Sequence, residues 1–380
     1  MTSTDERPDP TADPSLAAVR GEVRRLMQAF GPEYFRALDA ARAFPEEFFQ
    51  AVAQLGYFGA LLPHEYGGSD GGLAVASVIL EEINRAGGEA SAINAQMTIC
   101  GTLLRDGTKE QRARYLPGVA RGELRCLGVA ATEPDSGADM RTLKSKARRD
   151  GDDWILDAQK VFISLAEHTR LILLLAQAPE GPTLFLLDRE LITDGISLQP
   201  IHVIVNRLTT SLFIDGLRVP DASRVGAPGA GLQCLMRGFA QRRILAASEC
   251  LGNARFLLDK SFAHAKGRVI FERPIGANQG VQYPLAQAYT HVEAADLMRW
   301  DAVRELMAGR DAGPRSALAR LLASEAASEA GRAALTTFGG WALASELHIE
   351  RKLRESLVFA FNNLLWSYVA QQVLGLPEAF

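Results

Sequence analysis

From Ser15 to about Glu123 the apolar residues recur at helical spacing, as in Leu16, Val19, Val23, Leu26 and Met27, or Val75, Val78, Ile79 and Ile83. Such a stripe must be covered by other apolar surface, so the pattern predicts an N-terminal helical region. The stripe breaks at Pro63-His64-Glu65-Tyr66-Gly67-Gly68, where proline and glycine predict a turn. From Cys126 to about Ala230 the pattern changes to short runs: Trp154-Ile155-Leu156, Val161-Phe162-Ile163, Leu171 to Leu175, Thr183 to Leu187 and Leu212-Phe213-Ile214. Turn-forming residues divide these runs, which predicts a β domain. Helical spacing returns from Leu232 to Gln372, with breaks expected at Glu272 to Gly280, Gly309 to Pro314 and Gly339-Gly340. That is enough for a four-helix bundle. The fold class expected is therefore α+β, with an N-terminal tail over 1–14, a helical domain over 15–125, a β domain over 126–230 and a helical bundle over 231–380.

Composition narrows the function classes. The 380 residues are 47% hydrophobic and 23% charged, as in an ordinary globular protein with a sizeable core. A net charge of −4 and the lack of any Lys/Arg-rich run argue against a nucleic-acid partner, whose binding draws on phosphate neutralisation. No apolar run reaches the roughly 18 residues of a transmembrane helix. Met1 to Pro14 lacks the basic start and apolar stretch of a secretion signal. A cytoplasmic location without a membrane partner is expected. The four cysteines, Cys100, Cys126, Cys234 and Cys250, show no metal-ligand or CxxC spacing and are read as small buried hydrophobes, with no metal site.

Local motifs carry the functional reading. Ala131-Thr132-Glu133-Pro134-Asp135-Ser136-Gly137-Ala138-Asp139, followed by Gln159-Lys160-Val161-Phe162-Ile163-Ser164, resembles the paired signature of the acyl-CoA dehydrogenase family. The resemblance continues through Phe213-Ile214-Asp215, Val219-Pro220, Arg268 to Ile275 with Gln279, Phe338-Gly339-Gly340, and Ile349-Glu350-Arg351 with Arg354. It implies three subdomains (helical, β barrel, four-helix bundle), FAD as cofactor and an acyl-CoA or acyl-carrier thioester as substrate. Backbone groups of Val129, Ala131 and Thr132, with the Thr132 hydroxyl, would meet the pyrimidine edge of the flavin. Ser164 would lie near N5 and Phe162 against the ring, where the family usually has Thr and Trp. Arg268, Phe271 and Gln279 would serve the nucleotide part, and Gly339 and Gly340 would let another subunit's cofactor approach, implying a homodimer or homotetramer. Ala138 and Arg243 would lie against the substrate.

Two departures from the family pattern bear on the reaction. Dehydrogenases of the family remove an α-proton with a glutamate placed after the Arg354 segment; Asn363 stands there in this chain. The other position used for that base, before the arginine at 243, holds Arg242. An amide is no substitute for a carboxylate as proton acceptor, and losing a general base costs on the order of 10² to 10⁴ in rate. Glu133 and Glu249 remain as carboxylates in the motifs and are read as structural. Arg242, turned into the pocket, would favour an anionic substrate group or an enolate. The expectation is a flavin-dependent oxidoreductase with diverged chemistry, such as an oxidase or monooxygenase reaction, its electrons passing to O2 or to an electron-transfer flavoprotein. Two alternatives stay open: a dehydrogenase with a relocated base, and a non-catalytic partner subunit of a heteromeric dehydrogenase.

Overall fold

A computed structural model describes residues 13–377 apart from 138, 141 and 193. Six helices come first: α1 (Pro14–Ala29), α2 (Pro32–Ala41), α3 (Glu46–Gln54), α4 (Gly72–Arg85), α5 (Ser91–Asp106) and α6 (Lys109–Ala120). Their starts follow from local chemistry. Asp13 accepts the Ser15 N–H at 2.8 Å ahead of α1, and Thr108 and Gln111 form a reciprocal capping box on α6. The predicted turn after Leu62 is a short 3-10 segment, His64–Tyr66, closed by Gly67 at φ +77. Gly68 packs so tightly that a Cβ there would lie 1.9 Å from the Leu62 carbonyl oxygen, which is why the pair must be glycine.

The middle of the chain forms β1 (Cys126–Ala130), β2 (Lys146–Asp150), β3 (Asp153–Ser164), β4 (Leu171–Ala178), β5 (Gly181–Asp188), β6 (Ile196–Pro200), β7 (Thr209–Pro220) and β8 (Arg224–Val225). They make an eight-stranded sheet in the order β6-β7-β3-β2-β4-β5-β8, with β1 added in parallel to β4. The uninterrupted apolar run of β4 has a clear cause. Leu171, Leu173 and Leu175 pack with Cys100, Leu103, Leu116 and Val119 of the helices, while Ile172, Leu174 and Ala176 pack with Trp154, Phe185 and Leu212 inside the sheet. Both faces are buried, so alternation is lost.

The C-terminal part comprises α7 (Gly231–Arg237), α8 (Phe239–Gly267), a two-stranded hairpin of β9 (Val269–Ile270) and β10 (Arg273–Pro274), α9 (Gln279–Met307), α10 (Gly313–Phe338), α11 (Ile349–Leu357) and α12 (Asn363–Tyr368). Three long helices and the short α11–α12 arm make up the bundle. The break between α8 and α9 comes earlier than its expected start at Glu272. The helix ends at Gly267, and Phe271 and Glu272 take positive φ to turn the hairpin, leaving Gln279 as the first residue of α9. N- and C-terminal helices share one core, with Phe48, Phe58, Ile79 and Ile83 in the same cluster as Leu245, Leu251, Leu257 and Val303. Each such fully buried side chain contributes about 1.5–3 kcal/mol. All four cysteines are buried and free. Among the described residues no helix is long and apolar enough to cross a membrane, and no group of His, Cys, Asp and Glu is placed to hold a metal.

Candidate functional site

The two signature segments are fastened to each other. β1 carries Val129 and Ala130 along β4, and the chain then leaves the sheet through Ala131 and Thr132. The Thr132 carbonyl accepts the Val161 N–H at 3.0 Å, and the Thr132 hydroxyl donates to the Val161 carbonyl at 2.5 Å. That hydroxyl was expected to be turned to the flavin; here its proton is engaged within the protein. Beneath this junction Lys160, with no exposure, donates to Glu133 at 2.7 Å and to the Ala131 carbonyl at 3.2 Å. The Glu133 carboxylate also accepts the N–H groups of Lys144 (2.6 Å) and Ser145 (3.1 Å). Burial opposes ionisation of Glu133, yet the Lys160 ammonium and these donors hold its carboxyl below the ordinary value. Lys160 is also held below its ordinary value, because burial outweighs the attraction of Glu133. Glu133 is thus structural, as its motif position suggested.

Beyond Lys160 the pairing of β3 with β7 shifts register, and Phe162 takes φ +57. A bulky residue in the left-handed region costs of order 1–3 kcal/mol and is held there by its surroundings. The result is a phenyl ring that is 64% exposed, two residues from the exposed Ser164 and beside a Thr132–Val161 junction with backbone donors. An exposed aromatic face, a hydroxyl and a strand edge fit an isoalloxazine ring. Leu165, also at positive φ, donates its N–H to the carbonyl of Leu208 at 3.1 Å, and the neighbouring Arg207 reaches Glu249 on α8 at 3.8 Å. The end of β3 therefore lies against the first part of α8.

The same part of α8 carries the substrate-side candidates. Arg242 is exposed, and Arg243 is half-buried with its guanidinium carbon 4.6 Å from the Tyr368 ring centre. Tyr368 is the last residue of α12 and Asn363 the first, so Asn363 stands at the other end of a helix about 9 Å long from the Arg243 contact. The loop ahead of α12 is clamped: Phe359 packs under the guanidinium groups of Arg207 and Arg320 at 5.7 and 4.9 Å, and Arg320 donates to the Phe359 carbonyl at 3.2 Å. Asn363 is exposed, whereas Asn362 is buried and donates to the Ser324 hydroxyl at 2.8 Å. Two helical turns beyond Arg242 lies Glu249, buried, accepting from the Asn94 amide. Burial, with the nearby Glu89, pushes its carboxyl up to about 7 against the pull of Arg207. Ala138 lies outside the described residues.

The remaining cofactor candidates gather at the opposite end of α8. Arg268 follows its last residue, about 38 Å along the helix from Arg242. Its carbonyl accepts the Ile275 N–H at 2.8 Å, and Phe271 at the hairpin tip is 93% exposed. Gln279 is exposed at the start of α9. The His264 ring stacks on Phe338 at 4.1 Å, which brings Gly339 and Gly340 to this end, and a Cβ on either glycine would meet nothing within 4 Å. Beside them an apolar groove of about 670 Å³ is lined by Phe262, Ala265, Val281, Leu285 and Tyr289. This group and the Phe162–Ser164 group thus lie toward opposite ends of α8. Sequence reasoning did not find Tyr368, Arg207 and Arg320, which place the motif residues from elsewhere in the chain. The joint role of Lys160 with Glu133 was open to it, since a lysine inside a strand needs a counter-charge.

Comparison with known proteins gives the family. The N-terminal, middle and C-terminal domain descriptions of acyl-CoA dehydrogenase match residues 13–123, 128–212 and 229–362. The acyl-CoA dehydrogenase FadE12 of Mycobacterium tuberculosis (strain ATCC 25618 / H37Rv) is 33% identical over 96% of this chain and 97% of its own length. The prolyl acyl carrier protein oxidase AnaB superposes with a TM-score of 0.89 at 25% identity, covering 96% of this chain and all of its own. The FAD complex of PigA, at 23% identity, shares the fold with a TM-score of 0.90 over 96% and 98% of the two chains. With matching domains in order and a relative over nearly its whole length, the chain belongs to the acyl-CoA dehydrogenase family of FAD-dependent oxidoreductases.

Proposed function

We propose that the protein is an FAD-dependent oxidoreductase acting on an acyl thioester of CoA or of a carrier protein, by oxidase or oxygenase chemistry rather than α,β-dehydrogenation. The observation that carries this reading is the pair at the start of α8 and α12. Arg242 and Asn363 occupy the places where the resemblance puts a catalytic carboxylate, and neither accepts a proton near neutral pH. When bound, FAD supplies a two-electron acceptor whose reduced form can pass electrons to O2 or to a carrier flavoprotein. Val129, Ala131 and Thr132 would hold the pyrimidine edge, Ser164 and Phe162 the ring, and Arg243, steadied by Tyr368, the thioester. Arg268, Phe271, Gln279, Gly339 and Gly340 would serve the cofactor of a second copy, for which the distance along α8 and the neighbouring apolar groove speak. AnaB, an oxidase of a carrier-bound prolyl group in the same fold, supports the oxidase branch.

The test is aerobic turnover of the FAD-loaded protein with CoA and carrier-protein thioesters, following O2 uptake and the mass of the acyl product, with the substrate itself as electron donor for an oxidase and with added reduced flavin or NADH as electron donor for an oxygenase. O2 uptake with a product other than the α,β-unsaturated thioester is expected. An α,β-unsaturated product formed only with a carrier flavoprotein as acceptor would overturn the reading.

One observation favours a second reading, a dehydrogenase with a relocated base. Glu249, whose carboxyl is pushed up to about 7, lies two turns from Arg242 and has the proton affinity suited to a base at neutral pH. Glu249→Gln would then abolish flavin reduction by acyl-CoA; under the first reading it changes only stability.

A further inference from the structure

Two arginines border the seam between α5 and the start of α8. Arg105, in the last turn of α5, lies across the backbone of Gly101 and Gly238. Its Nη1 is 3.1 Å from where a Cβ on Gly101 would stand, and its Nη2 is 2.6 Å from the corresponding point on Gly238. Gly238 is one turn before Arg242, whose N–H donates to the Gly238 carbonyl at 3.0 Å. Gln241 adds an amide nitrogen 3.8 Å from the Gly101 point. Glycine at these two positions lets the Arg105 guanidinium lie directly against the backbone.

Other arginines around this seam have ionic or aromatic partners, and these two lack a hydrogen-bonded counter-ion. Arg237 is paired with Asp106 at 2.6 Å, Arg207 with Glu89 at 3.2 Å, and Arg243 stacks on Tyr368. Asp106, adjacent to Arg105 in sequence, bonds Arg237 through one oxygen, while its charge also attracts Arg105. Among the described residues, neither Arg105 nor Arg242 makes a side-chain hydrogen bond or ion pair. Both residues are exposed, yet the protein packed around them disfavours their charged forms, and the charge of Arg105 lowers the proton affinity of Arg242 further. Two like charges on neighbouring residues repel, and an anion between them would remove the repulsion and accept charge-assisted hydrogen bonds.

We propose that Arg105 and Arg242 form a subsite for a carboxylate carried by the acyl group of the substrate, so that the preferred thioester is that of a dicarboxylic acid. This rests on the thioester reading above and narrows it to a substrate class. Arg242 stands where the resemblance puts a group facing the acyl carbons, and Arg105 approaches it from α5, on the other side of the seam.

The experiment measures Kd for CoA thioesters matched in chain length at four and five carbons, one of each pair ending in a methyl and the other in a carboxylate, by perturbation of the flavin spectrum. Wild-type protein is expected to favour the carboxylate member by about 10- to 100-fold, the range for charge-assisted hydrogen bonds. Arg105→Ala and Arg242→Ala should each remove most of that preference and leave the methyl thioester within about twofold. Arg105→Lys, which keeps charge and bulk, should retain part of it and serves where the alanine variant does not fold. Equal affinity for the two members in wild-type protein overturns the proposal, as does a preference that survives in both variants. If both variants weaken the two members equally, the arginines face the CoA phosphates and the carboxylate subsite is refuted. Failure of every thioester to bind would instead refute the thioester reading itself.

Discussion

Lys160→Met tests the junction on which the flavin side of the site is built. In the native protein the ammonium has no exposure and offsets Glu133, itself 3% exposed, while also donating to the Ala131 carbonyl. The substitution keeps the bulk and leaves the carboxylate buried with two backbone N–H donors but no counter-charge. Removing one partner of a buried pair costs about 3–5 kcal/mol. Glu133→Gln should cost a similar amount, and the double variant should fall short of the sum of the two by at least about 1 kcal/mol, because neither charge is then stranded. The assay is urea unfolding at pH 7, at fixed protein and FAD concentrations. The pH dependence has a definite sign. The folded-state pKa of Glu133 is depressed, so its contribution is present above its ordinary value and lost as pH falls through the depressed one. The deficit of Lys160→Met should therefore shrink on acidification, since a neutral Glu133 needs no partner. A variant within about 1 kcal/mol of wild type, or strictly additive single changes, would refute the reasoning.

Other consequences follow from the same geometry. The Glu249 carboxyl is raised from its ordinary 4.5 to about 7 in the folded protein, so wild-type stability should fall as pH rises between those values, by up to about 3 kcal/mol. Glu249→Gln should flatten that slope and be the more stable protein at pH 8, as read from urea midpoints at pH 5 to 8. Gly68→Ala, which drives a Cβ into the Leu62 backbone, should lower stability by about 1–3 kcal/mol or more in the same assay. Gly340→Ala meets no neighbour within the chain and should leave monomer folding intact while reducing FAD retained on gel filtration, since the added methyl would face the second copy's cofactor.

How much of this was legible in the chain depends on how local each signal is. Periodicity gave the helix, sheet, helix order because amphipathic stripes and short apolar strands are properties of a few consecutive residues. It placed the break after α8 too late, since the helix stops at Gly267 while the positive φ of Phe271 and Glu272 is a property of the folded hairpin. The motif residues Thr132, Phe162 and Ser164 were found by their order. That Thr132 would spend its hydroxyl on Val161, and that Phe162 would be strained and exposed, required the register shift in β3. Arg105 carries no sequence mark: only folding brings it to Gly238 and shows that the neighbouring Asp106 bonds Arg237 instead.

The central claim is that neither residue 363 nor residue 242 supplies a base for α-proton removal. Its most direct test is anaerobic mixing of FAD-loaded wild-type protein and Asn363→Glu with unsubstituted straight-chain acyl-CoA thioesters, which can reduce the flavin only by α,β-dehydrogenation, following the absorbance of oxidised flavin. The account predicts that wild-type protein binds thioester and keeps its oxidised spectrum, while Asn363→Glu is bleached at least about 10² times faster. Rapid bleaching of the wild-type flavin, unchanged by the substitution, would contradict it.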